Sequence, residues 1–125
     1  LRRRICAEGL LPGIPMPWLM KAPVIVVLCA ETSLLTHTVA PLLSKVQYHL
    51  IDIGIAGEHF VLAADAEGLG TCWIGWFNGR KVRNILALPR SLQILSLISL
   101  GYPASPMEQV SDDNRMKLED ISRFI

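Results

Sequence analysis

Hydrophobic positions fall into distinct patterns along the chain. Val24-Ile25-Val26-Val27-Leu28-Cys29-Ala30 is an unbroken apolar, largely β-branched run introduced by Ala22-Pro23. With no polar face, it predicts a strand buried in the middle of a sheet. Gln93–Gly101, through Ile94, Leu95, Leu97, Ile98 and Leu100, predicts a second buried strand. Between them, Val46–Glu67 carries Leu50, Ile53, Ile55, Ala56, Phe60, Ala63 and Ala64 at three- and four-residue steps, with Ile51, Val61 and Leu62 in between. That spacing predicts a helix apolar over most of its circumference, hence packed on several sides at the centre of the molecule. Gly54, Ala56 and Gly57 cluster mid-helix, where a close crossing with another backbone needs small residues.

Shorter signals place the rest. Leu1–Leu11 reads as the tail of a helix stopped by Pro12 and Gly13, and Gly13–Lys21 as an extended, proline-bearing linker. Glu31–Leu43 is expected to be a loop with a helical turn. Gly68-Leu69-Gly70 ends the long helix, because glycine accepts the left-handed conformation beyond a last turn. Thr71–Gly75 is a short extended segment, and Asn78 caps a helix over Arg80–Ala87 that Pro89 closes. Tyr102–Asp113 is a polar loop, and Lys117–Ile125 a terminal helix or arm.

Composition narrows the class. A length of 125 residues allows one domain, 1–125, with a real core. Hydrophobic residues are 51% and charged residues only 18%, below the ~25% usual in globular proteins. Such an apolar excess predicts a partner that hides part of it, most simply a homodimer. Net charge is +1, and the basic run Arg2-Arg3-Arg4 is short, with no aromatic interleaving. It reads as a solvated helix face, and no nucleic-acid partner is expected. The run Ala22–Ala30 falls far short of the ~20 residues that span a bilayer. The stretch from Val46 to Ala66 contains Asp52, Glu58, His59 and Asp65, so no membrane segment is expected. Cys6, Cys29 and Cys72 form no CxxC pair and the histidines fit no zinc spacing. A reduced cytoplasmic protein with buried thiols and no metal site follows.

The candidate chemistry lies after the long helix. Gly68-x-Gly70 is not a dinucleotide fingerprint: Trp73 stands where the third glycine belongs, and the order is helix then strand. Gly70-x-x-x-x-Gly75 is not a phosphate loop, since Trp76 replaces the lysine. No serine or cysteine has neighbours that would activate it, so no catalytic side chain is assigned. Cys72 reads as a small buried filler and His59 as a core or interface histidine. Gly68-Leu-Gly-Thr-Cys-Trp-Ile-Gly-Trp-Phe77, however, gathers three glycines and three large aromatics in ten residues. Aromatic faces beside bare backbone suit a flat heteroaromatic ring, whose polar edge amide N–H groups can reach. Composition alone equally allows Trp73, Trp76 and Phe77 to be plain core.

The stretch Val46–Phe77 closely resembles the central helix and following loop of nitroreductase-family flavoproteins. The likeness extends to Ala22-Pro23 before the first strand, Leu86-x-Leu88-Pro89, Leu100-Gly101-Tyr102-Pro103 and Asn114-Arg115 ahead of Leu118-Glu119-Asp120-Ile121. The resemblance implies an α+β fold: a nitroreductase-like α/β sandwich with a central buried helix against a mostly antiparallel sheet. It also implies a homodimer with FMN in interface clefts and NAD(P)H as co-substrate. Hydride passes through flavin N5 to a nitroaromatic, quinone or similar small-molecule acceptor. By the same resemblance, Trp73, Ile74, Gly75 and Trp76 match the loop whose backbone lies against the isoalloxazine. The Gly75 or Trp76 amide is the donor near N5 and O4. Arg115 matches a basic residue that binds the FMN phosphate, a charge-assisted contact of roughly 1.5–3 kcal/mol.

Departures from the family pattern are specific. Its opening Arg-Ser-x-Arg-type segment and the following Asn-rich stretch have no match, and Asp113 stands where a second basic residue is common, with Lys117 nearby. The chain begins with Leu1 inside helix-like sequence. The expectation is the C-terminal two-thirds of such an oxidoreductase, incomplete at the N-terminus. The alternative is a non-catalytic, truncated dimerisation module without stable flavin binding.

Overall fold

The computed structural model describes residues 1–31, 45–105 and 115–124. Three strands form one antiparallel sheet in the order β1-β3-β2: β1 is Val24–Glu31, β2 Gly70–Ile74 and β3 Leu92–Gly101. β3 is the most deeply buried of the three strands and takes the centre, with Leu97 and Ile98 fully buried. β1, expected mid-sheet, is instead an edge among the described strands. Its continuous apolar run reflects cover on both faces rather than a pairing partner on both sides. Pairing runs from Val24 opposite Leu100 to Leu28 opposite Ser96, then jumps so that Cys29 faces Ile94. Leu95 is thus the extra residue of a bulge.

The two faces of the sheet are covered differently. One carries Ile25, Val27, Cys29, Ile74 and Leu97, packed with Ile5, Leu19, Val82 and Ile85 into the main core. The cover comes from helix α3 (Gly79–Leu86), the N-terminal turns and a 3₁₀ turn over Pro17–Met20. The expected extended linker therefore contains a helical turn. Pro17 opens it with its preset φ, and Leu19 buries completely beneath it. The expected helix tail is one α turn, α1 (Arg2–Arg4), running into a π turn over Ile5–Gly9. Arg2 is not merely solvated: its Nη1 donates to Met20 O at 2.6 Å and Ala22 O at 2.7 Å, tying α1 to the start of β1.

The long helix α2 (Tyr48–Ala66) lies on the opposite face, against all three strands. Only His49, Gly57 and Ala64 are buried on it, while Leu50, Ile51, Ile55 and Leu62 are exposed. Among the described residues, the helix expected to be enclosed is covered along one stripe, because a three-stranded sheet offers a single flat surface to it. Nor does its glycine cluster meet a backbone. A Cβ at Gly54 would touch nothing, whereas one at Gly57 would lie 2.7 Å from Trp73 Cζ2 and 2.8 Å from Leu28 Cδ1. A Schellman motif closes α2: Leu69 N donates to Ala64 O and Gly68 N to Asp65 O, both at 2.9 Å, with Gly68 at φ +72°. The short helix α4 (Leu118–Ile121) lies within the expected terminal segment. The loops expected over Glu31–Leu43 and Tyr102–Asp113 fall outside the described residues, apart from Glu31 and residues 102–105.

Candidate functional site

The corner where β2 leaves the sheet is built by alternation. Ile74, paired with Leu97, points into the main core and is 2% exposed, which pins the end of the strand. Trp73 therefore points to the other face, into the space that Gly57 leaves, and stays 41% exposed. Gly75 follows, exposed, and a Cβ built there meets no atom within 4 Å. Trp76 is 44% exposed, and its indole Nε1 donates to Pro12 O at 2.9 Å. A buried or half-buried indole N–H needs an acceptor, and this one fixes the ring against the N-terminal segment.

Backbone bonds hold the corner on the same side. Leu11 N donates to Trp76 O at 3.3 Å, Asn78 N to Gly9 O at 2.7 Å and Phe77 N to Gly75 O at 3.1 Å. Leu10 and Phe77 form an isolated antiparallel bridge. Asn78 Oδ1 then accepts from Lys81 N at 3.1 Å, the cap that starts α3. The carbonyls of Gly75 and Trp76 are thus used internally. Among the described residues, no hydrogen bond outside the helices and strands uses the N–H of either. The result is a short stretch of donor-bearing backbone, open above Gly75 and flanked by two half-exposed indoles.

A flat ring with acceptor atoms on its edge fits this surface. Trp73, Gly75 and Trp76 can meet such a ring, whereas Ile74 can contribute only through its backbone. Within one chain the corner is a platform. Two neighbouring concavities, of about 760 Å³ beneath Leu10–Pro17 and about 710 Å³ around the start of α3, are not walled by Gly75. Arg115 stands exposed ahead of α4, on a segment joined to β3 through residues 106–114. The structure thus brings four of the five expected site residues together in one corner and leaves Arg115 on a separate segment.

Other expected features fall differently. Cys72 is exposed on β2 and is not the buried filler expected, whereas His59, exposed on α2, is not a core histidine and keeps only the interface reading. Cys72 sits exposed on an edge among the described strands. Cys6 and Cys29 are half-buried, and burial pushes both thiols up, opposed by Arg2 near Cys6 and by Arg83 near Cys29. Among the described residues, no group of His, Cys, Asp or Glu is arranged to hold a metal, and no helix is long and apolar enough to cross a membrane. Sequence reasoning did not single out Pro12 or the pairing of Gly57 with Trp73. The only signal was that a tryptophan outside the core still needs an acceptor for its N–H.

Comparison with known proteins covers the same stretch. The family model described as Nitroreductase family matches residues 10–102. A protein of Archaeoglobus fulgidus, provisionally named NADH dehydrogenase/NAD(P)H nitroreductase, is 30% identical in an alignment 111 residues long that covers 84% of this chain and 59% of that protein. The chain therefore spans less than two-thirds of that relative's length. A nitroreductase family protein from Streptococcus pneumoniae TIGR4 superposes with a TM-score of 0.74 at 19% identity, over 100% of this chain and 76% of that one. An FMN-dependent nitroreductase from Clostridium difficile R20291 does so with a TM-score of 0.64 at 22% identity, over 85% and 60%. At those identities the structures establish the shared α+β fold, whose antiparallel sheet and long helix are the ones described above. The family match runs from Leu10, which bridges to Phe77, through the glycine-and-tryptophan corner to Tyr102 beyond β3, and by it this chain belongs to the nitroreductase family.

Proposed function

We propose that this chain acts as an FMN-dependent NAD(P)H oxidoreductase of the nitroreductase type, working in the cytoplasm as a homodimer. The observation that carries the reading is the corner at Gly75: exposed backbone, space above the missing Cβ and two half-exposed indoles. When bound there, FMN supplies a carrier that takes hydride from NAD(P)H and passes electrons to a nitroaromatic, quinone or similar acceptor. The chain's own residues place it. The Gly75 or Trp76 N–H donates to the polar edge of the ring, favouring the negative charge that reduction brings. Trp76, held by Pro12 O, and Trp73, seated on Gly57, border the ring and keep water from it. Arg115 pairs with the phosphate. The exposed face of α2, with Leu50, Ile51, Ile55 and Leu62, meets a second copy. The second copy then closes the cleft above the platform.

A second reading, a dimerising module without stable flavin, draws on the openness of the corner within one chain. The visible spectrum of the purified protein separates the two. The enzyme reading expects a yellow protein that releases FMN on denaturation. A protein that stays colourless after incubation with FMN supports the second.

A further inference from the structure

Helix α3 carries a second feature, unrelated to the flavin corner. Its buried residues are Val82 and Ile85, while Arg80, Lys81 and Asn84 are exposed and Arg83 is half-buried. Two concavities meet on this face. One, of about 710 Å³, is walled by Asn78, Gly79, Arg80, Lys81, Arg83 and Asn84. The other, of about 440 Å³, is walled by Arg80, Arg83, Asn84, Leu88 and Arg90. Among the described residues, no carboxylate lines either wall. The ion pair seen among the described residues is Arg4 with Glu8, which leaves Arg80, Lys81, Arg83 and Arg90 without a protein counter-charge there. Arg83 Nε is buried and donates to no acceptor.

Four cations gathered around shared hollows repel one another, and a buried guanidinium N–H without an acceptor is unfavourable. An anion filling the hollows relieves the repulsion. The planar guanidinium fork matches phosphate oxygens two at a time, and the amide of Asn84 adds a neutral donor. Among the described residues, no aromatic side chain lines either wall on which a base could stack. We propose that the paired concavity around Arg80, Arg83 and Arg90 binds a compact, multiply charged phosphate group, free or carried by a nucleotide.

Isothermal titration of the purified chain with pyrophosphate, ADP and adenosine tests this. Pyrophosphate and ADP are expected to bind and adenosine not to, with binding weakened by added salt. Tighter binding of pyrophosphate assigns the free anion, and tighter binding of ADP the nucleotide. Arg80 and Arg90 are exposed, so R80Q/R90Q leaves the fold intact by thermal melt. It is expected to lower affinity by roughly tenfold or more. No binding of either phosphate at millimolar concentration, or unchanged affinity in R80Q/R90Q, overturns the proposal.

Discussion

Gly57 and Trp73 fit each other at a distance that leaves no room for a methyl group. A Cβ at position 57 would press on Trp73 Cζ2 and Leu28 Cδ1 at once, the one belonging to β2 and the other to β1. Gly57→Ala is therefore expected to lower stability by about 1–3 kcal/mol, since overpacking outweighs the gain in helix propensity. A urea midpoint equal to wild type would show that Trp73 moves aside freely. The thiols give a second residue-scale test. Cys72 is exposed, whereas burial raises the pKa of Cys6 and Cys29, so their reactive thiolate appears only at higher pH. Alkylation followed by mass spectrometry is expected to label Cys72 first near neutral pH, with the other two catching up as pH rises; equal rates throughout would contradict this. At the site, the aromatics and glycines of Gly68–Phe77 were legible because side chains announce themselves in sequence. Pro12 was not, because it takes part through a backbone carbonyl that every residue has.

Among the elements, α3 ends less comfortably than α2. Both close with a Schellman pattern, in α3 through Leu88 N to Arg83 O at 3.1 Å and Ala87 N to Asn84 O at 3.3 Å. The left-handed position in α3 is filled by Ala87, at φ 54°, rather than by glycine. A side chain there costs about 1 kcal/mol. Ala87→Gly is expected to raise stability by about that amount in a denaturant titration, and a loss of stability would remove the account of this cap. The helix and strand boundaries were largely readable, because apolar period and capping residues are local signals. Edge or centre was not, since β1 reads the same whichever strands flank it. The burial of α2 was not readable either: an all-round apolar helix looks identical whether its own chain or a second copy covers it.

At the scale of the whole molecule, Leu50, Ile51, Ile55 and Leu62 on α2 set the expectation of a dimer. Ile55→Glu is expected to halve the mass seen by light scattering at micromolar concentration, because a charge replaces an apolar contact at the interface. A wild-type monomer would contradict the dimer outright. The proposed phosphate contact, Arg115, sits on a different segment, and Arg115→Ala is expected to weaken FMN binding by roughly tenfold, the loss of one charge-assisted contact. Unchanged affinity would remove Arg115 from the site. The family was legible from the motifs between Ala22 and Ile121, and the fold class followed from that resemblance. The surround of the corner was not, because the N-terminal segment that holds Trp76 through Pro12 O lies far from it in sequence. The most direct test compares FMN titrations of wild type and Gly75→Val. A Cβ at this position meets no described atom within 4 Å, so thermal stability without flavin is expected to stay close to wild type. Bound FMN, however, would collide with it, and affinity is predicted to fall at least about tenfold, some 1.4 kcal/mol. Equal affinity in the two proteins would show that the flavin does not lie on this corner.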